Sequence, residues 1–252
     1  MSLTDVRRRL PIARIVLVGC VACLSCVWAA GLPTLAQQPK RAVPTSEYAI
    51  RRVRGWTVRI NRRLLKDQRD LGSRAIELLD AKLLDIERAV PARAVAALRR
   101  VPIWLGLDDG HAPCAEYHPS REWLEKNGYN PDKARCVEIG NASRFLEWSK
   151  TQPSMILHEL AHAYHDQVLG FDNQAVAAAY ERAKQCGAYE SVLHADGSKQ
   201  RHYAMTDAKE YFAELTEALF GVNDFYPFVR AELKEHDAEG YALLRRLWQM
   251  DQ

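Results

Sequence analysis

Residues 155–165 read Met155-Ile156-Leu157-His158-Glu159-Leu160-Ala161-His162-Ala163-Tyr164-His165. Pro153 stands ahead of the run and Gly170 follows it, the punctuation of a helix that starts on proline and stops on glycine. Residues four apart on a helix lie on one face. The imidazoles of His158 and His162 can therefore reach one metal ion, zinc at roughly 2.0–2.1 Å. Glu159 is rotated off that line, where it can take a proton from a water whose pKa zinc lowers to about 7. With 8 His among 252 residues, chance writes this pattern in roughly 2% of chains of such composition.

A catalytic zinc keeps three protein ligands and an open position, whereas a structural zinc is closed by four. A general base beside the metal favours the first kind, with one Zn2+ per chain. Three candidates exist for the third ligand. His165 shares the face but lies a further turn along, and reads as a residue behind the ligands or a hydrogen-bonded surface histidine. The spacing of metzincins, a Gly three and a His six residues past the second His, fails here, because His165 and Val168 stand there. The better candidates lie in residues 207–220, D-A-K-E-Y-F-A-E-L-T-E-A-L-F. There Glu210, Glu214 and Glu217 share one helix face while Phe212, Leu215 and Leu219 share another. An acidic stripe beside apolar residues wants a cation. Glu210 is the expected ligand, with Glu214 the expected hydrogen-bond partner of a zinc-bound histidine.

His-Glu-Leu-Ala-His followed by Tyr203-x6-Glu210-Tyr211-Phe212-Ala213-Glu214 resembles the catalytic domain of anthrax lethal factor and the related Pro-Pro endopeptidases, which are zincin metallopeptidases. The resemblance covers residues 137–220. It implies a zincin-like fold, His158, His162 and Glu210 as ligands, Glu159 as base, and Tyr203 as the phenol that donates to an oxyanion. In zincins an edge strand beside the metal helix pairs with substrate backbone, and residues 137–140, Val-Glu-Ile-Gly, are the candidate for it. The first half of the chain carries no part of the resemblance.

Outward from this centre, the expected fold class is α+β. Residues 48–61 alternate and break at Arg54-Gly55, which reads as two strands or a hairpin. Ile76, Leu79, Leu83, Ile86 and Val90 fall at helical spacing, and Pro91 opens a short helix to residue 100. Residues 101–107 and 137–139 read as strands, with 108–136 looping between them. Beyond residue 143 the chain reads as helical: 143–150, the metal helix, 173–185, 207–220, 228–235 and 238–248. A hairpin around Asp196-Gly197 interrupts this series. A small sheet with helices in the first half and a helical second half places the zinc site in a cleft between them.

The first 36 residues differ. Arg7, Arg8, Arg9 and Arg14 precede an apolar run, and Thr34-Leu35-Ala36 ends on a small residue, the order of an export signal. An uncleaved anchor is the alternative, as is a lipid anchor on Cys20 in Leu17-Val18-Gly19-Cys20. Residues 37–46 read as a linker and 47–252 as one catalytic domain, secreted or held in the cell envelope. Membrane contact is expected only through the N-terminal segment or a lipid. The formal net charge is +3, and the four Arg and one Asp of residues 1–36 account for it. The remainder is near neutral, which argues against a nucleic-acid partner. Residues 40–69 are locally basic, a solvated face or a site for an acidic surface. Cys114, Cys136 and Cys186 remain outside the signal, and in an oxidising compartment two of the three can pair. The expected activity is hydrolysis of a peptide or protein substrate. The alternatives are another amide of the cell envelope, or a silent zinc-stabilised binding protein.

Overall fold

A computed structural model describes residues 42–109 and 114–250; the expected signal or anchor at 1–36 lies outside them. Described residues of the expected linker are pinned rather than free. Val43 packs against Tyr48, Trp104 and Cys136, Asn130 Nδ2 donates to its carbonyl, and Thr45 Oγ1 donates to Asp132 at 2.6 Å.

The chain is a mixed α+β fold. Strands β1 (Tyr48–Val53) and β2 (Trp56–Asn61) form a hairpin. Arg54 and Gly55 both take positive φ, 48° and 85°, as a two-residue turn matching the strands' twist requires. A short α1 (Arg62–Lys66) leads to the long α2 (Arg69–Ala89), and α3 (Ala92–Leu98) follows Pro91. Strand β3 (Ile103–Leu105) then runs parallel to β2. Residues 108–136, expected to loop, instead hold β4 (Ala115–His118), α4 (Arg121–Lys126) and a 3-10 turn (Pro131–Lys133). Strand β5 (Cys136–Ile139) pairs parallel with β3 and antiparallel with β4.

The sheet order is β1-β2-β3-β5-β4. This corrects the reading of residues 137–139. They are an interior strand, and the edge belongs to β4, whose four residues are too few and too polar to signal a strand.

One face of the sheet carries the core. Trp56, Val58, Ile60, Ile103, Leu105, Val137 and Ile139 are buried there against Ala75, Leu79 and Leu83 of α2. Each fully buried Leu, Ile or Val contributes about 1.5–3 kcal/mol of apolar transfer. The opposite face buries a charge cluster. Lys133 meets Asp109 at 2.5 Å and also Glu138, whose Oε2 lies 2.7 Å from His118 Nε2. Tyr48 donates to Asp109.

Helices build the second half: α5 (Ala142–Trp148), α6 (Met155–Tyr164) continued by a π turn (His165–Leu169), and α7 (Gln174–Cys186). A two-stranded hairpin of β6 (Val192–Leu193) and β7 (Lys199–Gln200) precedes α8 (Ala208–Phe220), α9 (Arg230–His236) and α10 (Ala238–Leu247). Helices α6 and α8 are locked end to end. Ser154 Oγ donates to the Val222 carbonyl at 2.8 Å and accepts from the Val222 N–H at 3.0 Å. A Cβ on Gly221 would fall 2.4 Å from that hydroxyl, so only glycine allows the approach. Farther along, Trp248 stacks on Tyr164 of α6 and Phe212 of α8.

Candidate metal centre and cleft

Helix α6 delivers His158 and His162 from one face, and α8 presents Glu210 to them. Asp207 caps α8, accepting from the N–H groups of Lys209 and Glu210, which fixes the first turn and with it Glu210. His158 Nε2 lies 3.0 Å from His162 Nε2 and 3.1 Å from Glu210 Oε2, and His162 Nε2 lies 3.3 Å from the same oxygen. A tetrahedral ion with bonds of about 2.0–2.1 Å holds its ligand atoms about 3.3–3.4 Å apart. The three atoms nearly form one face of that tetrahedron, so the residues present fit zinc.

The local electrostatics ask for positive charge at this point. Burial works against a charged His158, but hydrogen bonds from its ring to Glu210 and Glu217 outweigh it and raise the pKa well above the usual value. Burial likewise opposes the Glu210 carboxylate, yet the two histidines bring its pKa well below the usual range. A bound cation in place of the ring proton meets the same demand.

Behind His158 the arrangement departs from expectation. Its Nδ1 lies 2.7 Å from Glu217 Oε1 and 3.4 Å from Glu214 Oε1. Glu217, not Glu214, is therefore the direct partner. Glu214 is held by Asn223, whose Nδ2 donates to its carboxylate at 2.9 Å. Spacing alone put the two acids on one face; the axial offset between α6 and α8 decides which of them reaches the ring. Both are buried, and burial raises both pKa values. His158, Glu214 and Glu217 also form a group able to hold a cation, but Nδ1 against two carboxylates is the way a ligating histidine is oriented from behind.

Glu159 turns away from the ligand triangle, and its Oε2 accepts the Tyr117 N–H of β4 at 2.7 Å. Tyr203, in a 3-10 turn of residues 203–205 that follows the hairpin, lines the same cleft of about 760 Å³ as His158, Glu159, His162 and Glu210. Burial raises its phenol pKa, with Glu210 adding to the rise and His158 opposing it. The cleft runs on past β4 to Trp123, half exposed, and among the described residues its walls hold neither Lys nor Arg. Tyr117 and Trp123 were missed by sequence reasoning. A backbone N–H leaves no mark on a side-chain pattern, and a lone tryptophan in a polar stretch carries no periodicity.

No family model matches this chain, and no curated protein or solved structure matches it.

One further expectation, for His165, fails. His165 is wholly buried, neither ring nitrogen has a hydrogen-bond partner, and the ring packs against Phe171 and Phe212. It is a core residue, because the π turn carries it inward. Among the described residues no disulfide forms. Cys114, Cys136 and Cys186 are all free, the first two buried and the third exposed.

Proposed function

We propose that this chain is a zinc-dependent peptide hydrolase of zincin type, exported by its N-terminal segment. The observation that carries the reading is the triangle of His158, His162 and Glu210 atoms with Glu159 beside it and a cleft in front. When bound, zinc would polarise a scissile carbonyl and acidify a water.

The chain's own residues supply the rest. Glu159 is the base that takes the water's proton and returns it to the leaving amine. Its hydrogen bond from the Tyr117 N–H holds one carboxylate oxygen and leaves the other for this work. Tyr203 donates its phenol O–H to the oxygen that gains charge as the carbonyl is attacked.

Strand β4 supports an extended substrate. The carbonyls of Cys114 and His118 accept from Gly140 and Arg135 on the β5 side, so the alternate residues Ala115 and Tyr117 turn their backbone groups to the cleft. With the Tyr117 N–H taken by Glu159, the Ala115 N–H and the carbonyls of Ala115 and Tyr117 remain, among the described residues, to pair with a peptide.

The test is digestion of a peptide library with purified protein, with chelator, and after zinc is restored. Cleavage should vanish on chelation and return with zinc. Glu159→Ala should keep near-stoichiometric zinc and lose turnover by several orders of magnitude. Chelator-insensitive cleavage, or wild-type turnover in Glu159→Ala, would overturn the assignment.

A further inference from the structure

We infer that His202 is the positioning residue that sets Tyr203 in the cleft, which rests on the reading of Tyr203 as oxyanion donor. The two neighbours have opposite surroundings: His202 is 1% exposed and Tyr203 48%. The backbone between them must therefore be fixed for the phenol to have a defined reach.

His202 fixes it through three hydrogen bonds and two ring contacts. Its Nδ1 accepts the Ala204 N–H at 3.1 Å, capping the turn that carries Tyr203. Its own N–H donates to the Tyr189 carbonyl at 2.9 Å, and its carbonyl accepts from Met205 at 3.0 Å. The ring lies on Phe225, centroids 4.9 Å apart at 25°, and meets Tyr189 edge-on at 5.2 Å. Burial, with His236 adding to it, pushes the His202 pKa down to about 3, so the ring is neutral. Since Nδ1 accepts, the proton sits on Nε2. Downstream, Thr206 N donates to the Tyr203 carbonyl and Tyr180 Oη to that of Met205, which closes the turn and ties it to α7.

A core-filling role needs only an aromatic ring here. A positioning role needs the acceptor, because Ala204 is buried and its N–H would otherwise be left unpaired. Two variants separate these roles. His202→Phe keeps the ring and removes the acceptor. His202→Asn removes the ring but keeps an oxygen able to cap the turn.

His202→Phe should lower kcat about 10–100-fold, as changes behind a working residue do, with KM and zinc content near wild type. His202→Asn should recover most of kcat. In a Tyr203→Phe background, His202→Phe should cost nothing more, since the two act through one hydroxyl. Independently of turnover, crystal structures of the zinc-free variants should show the Tyr203 phenol displaced in His202→Phe and in place in His202→Asn. Multiplying losses in the double variant, zinc loss in His202→Phe, equal losses in Phe and Asn variants, or an undisplaced phenol would each overturn the inference. If Tyr203→Phe alone leaves kcat unchanged in an active enzyme, the oxyanion reading fails, and this inference fails with it.

Discussion

Two of the buried polar clusters among the described residues are closed in different ways. On the far face of the sheet, Asp109 and Glu138 share the Lys133 ammonium, a cation the chain itself supplies. Between α6 and α8, two imidazole nitrogens and a carboxylate oxygen converge within 3.3 Å. No Lys or Arg is among the described residues of that cleft. Burying ionised groups costs several kcal/mol each unless opposite charge meets them. The first cluster answers that cost internally and so reads as structure. In the second, the carboxylates meet imidazoles rather than a fixed ammonium, a partner that can exchange its proton for another cation.

The sharpest way to break the comparison is to remove the internal cation. Lys133→Met leaves the buried Asp109 and Glu138 with only Tyr48 and His118 as partners and should destabilise the fold by about 3–5 kcal/mol, the usual result of breaking a buried pair. Urea unfolding would measure it, and zinc stoichiometry of the folded fraction should stay at one. Wild-type stability in this variant would mean that the cluster is not held by Lys133.

A smaller effect is expected behind His158. Glu217→Gln should weaken zinc affinity about 10–100-fold, read by competition with a chromophoric chelator. Glu214→Gln, one step removed from His158 Nδ1, should weaken it less. The reverse order would return Glu214 to the role its helical spacing suggested.

The smallest effect concerns His165, whose buried ring has no hydrogen-bond partner among the described residues. Burial, helped by His162, lowers its pKa from 6.5 to about 4. The unfolded chain therefore binds a proton below pH 6.5 that the folded chain refuses, and the stability this gives the folded state above 6.5 is lost as pH falls toward 4. His165→Leu removes that proton site, so its urea midpoint should fall less between pH 7 and 4.5 than that of wild type. Parallel pH profiles would show that His165 titrates alike in both states.

The sequence by itself determined the local features of the candidate site. His158 and His162 share a face because four residues make about one helical turn, and Glu159 is turned away for the same reason. The Gly221 stop and the Arg54-Gly55 turn follow from glycine acting within a few residues, while the sequence allows either Thr206 or Asp207 to start α8 and the structure shows the Asp207 cap. The sheet-and-helix halves were equally legible, since their apolar periods are 2 and 3.6.

Tertiary structure decided everything that depends on how two elements meet. Glu210, Glu214 and Glu217 are equivalent on one helix, and only the offset of α8 against α6 brings Glu210 to the Nε2 atoms and Glu217 to Nδ1. Residues 137–139 look like any strand, and only the pairing of β4 alongside makes them interior. The Tyr117 N–H that holds Glu159 is a backbone group, the same in every residue but proline, so no side-chain pattern could mark it. His165 looked like a surface histidine, and the π turn buried it. Short-range geometry is written in residue spacing, whereas register and offset between elements arise from packing, and those place Glu159, Glu217 and the cleft wall.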